Sequence, residues 1–167
     1  MSWWQPRTIS TDTGTVPRSS TDQRCGTEPW CTLQNRLPPD DPREWLSRAR
    51  GSLARARVVV QGGYIEDACT DAHQAAEKAL KAILLHLCGS FPRTHSVEAL
   101  VELIGAEGVD VPTRVRRAGR LTVYATARYP WPQEPVTGEE HAELVAIAAD
   151  VVSWAESMLL EHKLGTD

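Results

Sequence analysis

No apolar run in this 167-residue chain approaches the roughly 20 residues that a membrane-spanning helix needs. The longest, Ala82 to Leu85 and Leu144 to Ala149, suit the core of a water-soluble domain. The opening MSWWQPRTIS has no basic stretch leading into an apolar segment, so a signal peptide is not expected and a cytoplasmic location is the default. Charge of one sign is not in excess. Eighteen Lys and Arg against 22 Asp and Glu leave a formal charge of −4, which gives no global attraction to nucleic acid or an anionic membrane and leaves only local patches. Cys25, Cys31, Cys69 and Cys88 form no CxxC pair, which favours reduced structural thiols over zinc or redox chemistry.

Several catalytic signatures are missing too. No serine or cysteine stands in a nucleophile elbow or beside a paired base. Gly62 and Gly63 lack a preceding strand and so do not make a phosphate loop. His73 and Glu77 are spaced i, i+4, but HQAAE is not the HExxH arrangement and no second ligand cluster accompanies it. The pair reads as a polar helix face, and neither metal nor cofactor is expected.

What is abundant is helical periodicity. In YIEDACTDAHQAAEKALKAILLHLC, Tyr64 to Cys88, the residues Ile65, Ala68, Cys69, Ala72, Ala75, Ala76, Ala79, Leu80, Ile83, Leu84 and Leu87 recur at three- and four-residue steps. They share one broad face of a long helix. Asp67, Asp71, Gln74, Lys78 and Lys81 form a polar line opposite it, either a solvated face or part of a site. Before it, Asp40, Asp41 and Pro42 open a helix through Trp45, Ala49, Leu53, Ala56 and Val60. Beyond it, Gly89 and Pro92 stop propagation. Thr94 or Ser96 caps a third helix to Ile104. A fourth helical segment is expected from Thr113 to about Arg128, and a last helix from Glu139 to about Lys163. The expectation is an all-α, up-and-down bundle of about five helices over residues 41–164, with no strand.

Residues 1–40 carry seven threonines, four serines and five prolines without apolar period, and read as a disordered tail. Trp3, Trp4 and Trp30 within it are potential anchors. Arg114, Arg116, Arg117 and Arg120 make a local basic patch on the fourth segment. If that segment is a regular α-helix, Arg117, Tyr124 and Arg128 share a face, a combination able to hold phosphates and stack on a base. The alternative is that these arginines balance nearby acids.

The EWL opening with Trp45, the HQAAEKALKA core of the long helix, and the THS after it with ARYP further on occur together in this order. With them the chain resembles the HEPN family (higher eukaryotes and prokaryotes nucleotide-binding domain) from about Asp41 to Lys163. The resemblance implies a helical bundle that commonly dimerises and is often encoded beside a minimal nucleotidyltransferase in toxin-antitoxin-like pairs. It also implies that some relatives are metal-independent ribonucleases bearing an Arg followed four to six residues later by His. Here Gln133 and Glu134 stand where the histidine would follow Arg128, His141 is too far along, and Arg93 precedes His95 by only two residues.

The expected function is therefore a homodimeric HEPN protein that binds a nucleotide or RNA phosphate and pairs with a nucleotidyltransferase-type partner, without ribonuclease activity. Expected ligand-binding residues are Gln74, Lys78, Lys81, His95, Arg117, Tyr124, Arg128 and Tyr129. The alternatives are an endoribonuclease toxin, with a site assembled across a dimer from His95, Arg128 and Lys78, and a purely structural helical interaction module.

Overall fold

Asp41 has extended backbone geometry and its carboxylate accepts a hydrogen bond from the Arg43 amide at 2.8 Å, while Pro42 occupies the first helical position, where no amide hydrogen is needed. The first helix, α1, runs from there over Pro42–Ala56 in this computed structural model, which describes residues 36–126 and 134–164, with side chains as far as Leu160. Its carboxyl end is closed from a distance: His141 Nε2 donates to the Ala56 carbonyl at 2.8 Å, satisfying an oxygen that has no partner inside the helix.

Helix α2, Ile65–Cys88, is the centre of the domain. Fifteen of its 24 residues are buried, far more than one stripe accounts for, so neighbours cover it on nearly every side. Six of the fifteen are alanines, Ala68, Ala72, Ala75, Ala76, Ala79 and Ala82. Alanine keeps the helix slim and lets α1 and the last helix approach its backbone, with Leu80 and Ile83 filling the remaining space. Gly89, at φ 69°, ends α2 in the left-handed conformation that a side chain disfavours, and its amide donates back to the Leu85 carbonyl.

Ser96 rather than Thr94 caps α3, Val97–Ala106, accepting from the Ala99 amide at 3.2 Å. Thr94 instead receives the Ser96 amide at 3.1 Å and stiffens the entry. α5, Gly138–Leu164, returns along α2 through Leu144, Ile147, Ala148, Val151 and Ala155. Glu139 and Glu140 sit in its first turn, where the unpaired amides favour negative charge. No strand occurs among the described residues, and none of their helices is long and apolar enough to cross a membrane. The all-α expectation holds.

Two expectations fail. α1 stops at Ala56, short of Val60, which lies exposed in the turn before α2. The fourth segment is not a regular α-helix to Arg128: α4 covers only Thr113–Arg116, and the chain then tightens into a 3₁₀ segment, Arg117–Thr126. Val115, Ala118 and Leu121 are all buried, and three residues per turn lines up such a three-residue spacing on a single narrow edge. At three residues per turn Arg117 and Tyr124, seven residues apart, stand about a third of a turn from one another, so the α-helical face expected to carry both does not form. Residues 1–35, with Cys25, Cys31 and the three tail tryptophans, and Arg128 and Tyr129 lie outside the described residues.

Leu80 is fully buried at the meeting point of the helices. Replacing it with alanine is expected to lower unfolding free energy by about 2–5 kcal/mol in urea denaturation followed by circular dichroism.

Candidate functional site around His95

By the 3.6-residue period, His73, Glu77 and Lys81 follow one another up a single edge of α2, next to Leu80 and Leu84. All three are buried, with side chains only 3%, 11% and 7% exposed. They are not the solvated polar face that the i, i+4 pair suggests in sequence, because the loop between α2 and α3 folds over them. That loop has Phe91 at one end and His95 at the other. Phe91 packs edge-on against Trp45 of α1, ring centroids 4.6 Å apart and planes 73° apart, and the Lys81 ammonium lies 5.3 Å from the Phe91 centroid. The Trp45 indole in turn donates to the Pro39 carbonyl at 2.8 Å. The loop is thus pinned to the start of α1.

His95 is the element of this group that reaches water. Its side chain is 81% exposed, yet it is held twice. The Glu77 carboxylate lies 3.2 Å from His95 Nδ1 through both of its oxygens, and His73 Nε2 meets the His95 carbonyl oxygen at 2.8 Å. A carbonyl only accepts, so His73 carries its proton on Nε2. An ionised carboxylate also only accepts, so His95 carries its proton on Nδ1 and turns Nε2 outward.

Glu77 is ionised despite its surroundings. Burial pushes its carboxyl up, but the Lys81 ammonium at 2.7 Å and the bond to His95 pull it down further, and the net position lies below the ordinary carboxylate range. His73 is also lowered, but here burial is the winning cause: it outweighs the His95 carbonyl and the Glu77 charge, which favour the protonated ring. It is neutral at neutral pH, so its 3.9 Å approach to Glu77 is not an ion pair. The described residues contain no group of three or more His, Cys, Asp or Glu placed to hold a metal; His73 is committed to a carbonyl, and Lys81 occupies the remaining side of Glu77.

The polar line expected on α2 divides in two. Lys81 belongs to the His95 group. Lys78 and Gln74 face α1: the Lys78 ammonium donates to the buried Ser52 hydroxyl at 2.8 Å and to Gln74 Oε1 at 2.9 Å, and burial first, then the charge of Arg55, lowers its proton affinity. Asp71 is taken by Arg55 at 2.8 Å. The expected arginine patch is separate again. Arg117 and Arg120 both bind Glu143 of α5, the former at 2.6 Å, and the Tyr124 hydroxyl donates to Glu140 at 2.6 Å. Burial, reinforced by Glu140, pushes the Tyr124 phenol up. These groups fasten the 3₁₀ segment to α5, in line with the charge-balancing reading.

The HEPN domain model matches residues 42–158, from the start of α1 to near the end of α5. The chain belongs to the HEPN family. Two solved structures are similar to it. TT1696 from Thermus thermophilus is 33% identical with a TM-score of 0.62, over 70% of this chain and 97% of that one. ST0689, an archaeal HEPN homologue, is 28% identical with a TM-score of 0.56, over 70% and 96%. No curated protein matches.

Within this HEPN bundle the residues that sequence reasoning passed over are His73, Glu77 and Phe91. The signal was available for two of them. Leu80 and Leu84 flank the His73–Glu77–Lys81 edge on the helical surface, which marks a polar line set inside an apolar arc.

Both buried ionisations act on stability in the same direction. The folded-state values of His73 and Glu77 are depressed, so the unfolded chain binds more protons in acid and stability falls as pH falls. The His73 contribution is fully present above the ordinary histidine value of about 6.5 and is lost as pH drops from there toward the folded value; the Glu77 contribution follows below about 4.3. Thermal melts between neutral pH and pH 5 are expected to show falling stability, with a shallower slope for His73→Gln.

Proposed function

We propose that this HEPN protein binds the phosphate of a nucleotide or RNA at the edge formed by His95, and acts with a nucleotidyltransferase-type partner rather than as a ribonuclease. The observation that carries the binding half is the His95 arrangement: an exposed imidazole whose ring and backbone are each fixed by a buried side chain of α2. Holding one exposed ring in place costs the burial of several polar groups, and a preorganised contact to a ligand is the return on it. Arg93, on the same loop and exposed, and the Arg128–Tyr129 pair supply further cationic and stacking groups to the reading.

The case against RNA cleavage is also geometric. Cleavage by acid-base chemistry takes a proton from the attacking hydroxyl and delivers another to the leaving oxygen, which calls for two groups on opposite sides of the phosphate. Glu77 lies against His95 Nδ1 and Lys81 is bonded to Glu77 behind it, so neither is bonded to the outward Nε2. The partner half rests on the family. An exposed apolar surface is at hand for it: Val58, Val59, Val60 and Tyr64, at the turn between α1 and α2, line a groove of about 400 Å³ with Arg55 and Asp71 at its rim.

Titration of ATP and of short RNA by calorimetry is expected to give saturable binding that weakens about 10-fold in His95→Ala and in Arg128→Ala, the size of one charge-assisted hydrogen bond. Absence of binding to the wild-type protein would remove the ligand half. Co-expression with the product of the adjacent gene, followed by light scattering, separates a heteromeric complex from a free homodimer.

A further inference from the structure

A histidine held at Nδ1 by a carboxylate presents its other nitrogen, in the neutral ring, as a lone pair. Such a nitrogen accepts; it does not donate to a phosphate oxygen unless it is first protonated. The arrangement around His95 therefore does more than offer a positive charge, and its neutral form has the properties of a nucleophile. Three features favour that chemistry. The ring is 81% exposed, so a donor can approach Nε2 from solvent or from a partner protein's site. The carboxylate of Glu77 stands against Nδ1, where it stabilises the positive charge that the ring acquires when Nε2 forms a bond. The loop is fixed by His73 through the His95 carbonyl and by the Phe91–Trp45 contact, so Nε2 is displayed in one orientation.

We propose that His95 Nε2 is a phosphoryl-acceptor site, taking a phosphoryl group from a phosphoryl donor such as a nucleoside triphosphate. The proposal deepens the phosphate-binding reading and uses the same residue. In the step, the Nε2 lone pair forms a bond to the terminal phosphorus while the bond from that phosphorus to its bridging oxygen breaks. The nucleoside diphosphate leaves with the electron pair. The proton on Nδ1 stays where it is, and the resulting phosphoimidazolium faces the Glu77 carboxylate. No oxidant, reductant or metal ligand from this chain enters the balance. His95 is the nucleophile and Glu77 a positioning residue that acts through it; Lys81 keeps Glu77 ionised.

The remaining described histidines lack this combination. His73 is buried with Nε2 bound to the His95 carbonyl, His141 Nε2 is bound to the Ala56 carbonyl, and His86 Nε2 is buried inside the protein. Their contrast with His95 serves as an internal control.

The test uses the full chain and phosphoramidate, a small phosphoryl donor that needs no binding site of its own. Mass spectrometry with peptide mapping and phosphorus NMR is expected to find one acid-labile, alkali-stable phosphoryl group on His95, attached at Nε2 only. Glu77→Gln, checked for folding by circular dichroism, is expected to slow labelling about 10-fold and to yield a mixture of Nε2 and Nδ1 products, by analogy with the loss seen when the carboxylate behind a functional histidine is removed. Should Glu77→Gln unfold, the isomer ratio at early times decides: an unstructured peptide of the His95 loop treated alongside gives both isomers before drifting to the more stable Nε2 form, and a wild-type protein that matches the peptide overturns the proposal. No label on His95, or label at Nδ1, overturns the proposal, as does an unchanged rate in a folded Glu77→Gln protein. Because the probe does not depend on nucleotide or RNA affinity, labelling at His95 without ATP binding would count against the phosphate-binding reading while sustaining this one.

Discussion

Helix α2 is covered by other parts of the fold on nearly every side, and this constraint governs what its polar residues can do. A charged group carried into such a position is tolerated only when partners replace the water it loses. Glu77 meets that condition with two partners, Lys81 from one turn along its own helix and His95 from the loop above. The loop is held as a consequence. His73 adds a second tie to the His95 backbone, and Phe91 closes the layer between Lys81 and Trp45. A run of contacts from Pro39 to His95 thus links the start of α1 to an imidazole that reaches solvent.

The other polar edge of α2 shows the same rule with a different outcome. Lys78 and Gln74 satisfy each other and the buried Ser52 of α1, and Asp71 pairs with Arg55. These contacts, the Lys78 group partly buried and the Arg55–Asp71 pair exposed, hold two helices together. Around Arg117, Arg120 and Tyr124 the partners are Glu143 and Glu140 of α5, so the cations there are already balanced by acids of the same fold. The pairs involving Glu143 are half exposed and contribute little to stability, but they fix the 3₁₀ segment against α5. The His95 edge differs because its buried charges end on a group that points outward.

Much of the fold was legible in the sequence. The Asp41–Pro42 start of α1, the Gly89 stop of α2, the Ser96 cap of α3 and the acidic first turn of α5 follow from local rules about unpaired amides and left-handed glycine, which depend on few neighbours. The EWL, HQAAEKALKA and THS–ARYP sequences pointed to the family that the domain match shows. The 3₁₀ segment was not legible, since Val115, Ala118 and Leu121 at three-residue steps also fall within the broad apolar arc of an ordinary α-helix, and spacing alone does not separate the two. His95 and Lys81 stand out in the sequence by their charge; the reason they matter together does not, because it depends on Glu77, which in sequence is one half of an ordinary i, i+4 pair. Sequence spacing tells which residues share an edge of a helix, while the loop that covers the edge is set by tertiary packing.

The central claim is that Glu77 fixes His95 in a single state with Nε2 outward. Long-range nitrogen–proton NMR correlation on the histidine rings tests it most directly, because it reports which nitrogen of each neutral ring carries the proton. The account predicts that neutral His95 is protonated at Nδ1 and His73 at Nε2, and that Glu77→Gln releases His95 into the mixture of forms found in an unstructured peptide. A wild-type His95 protonated at Nε2, or already averaging between the two forms, would contradict it.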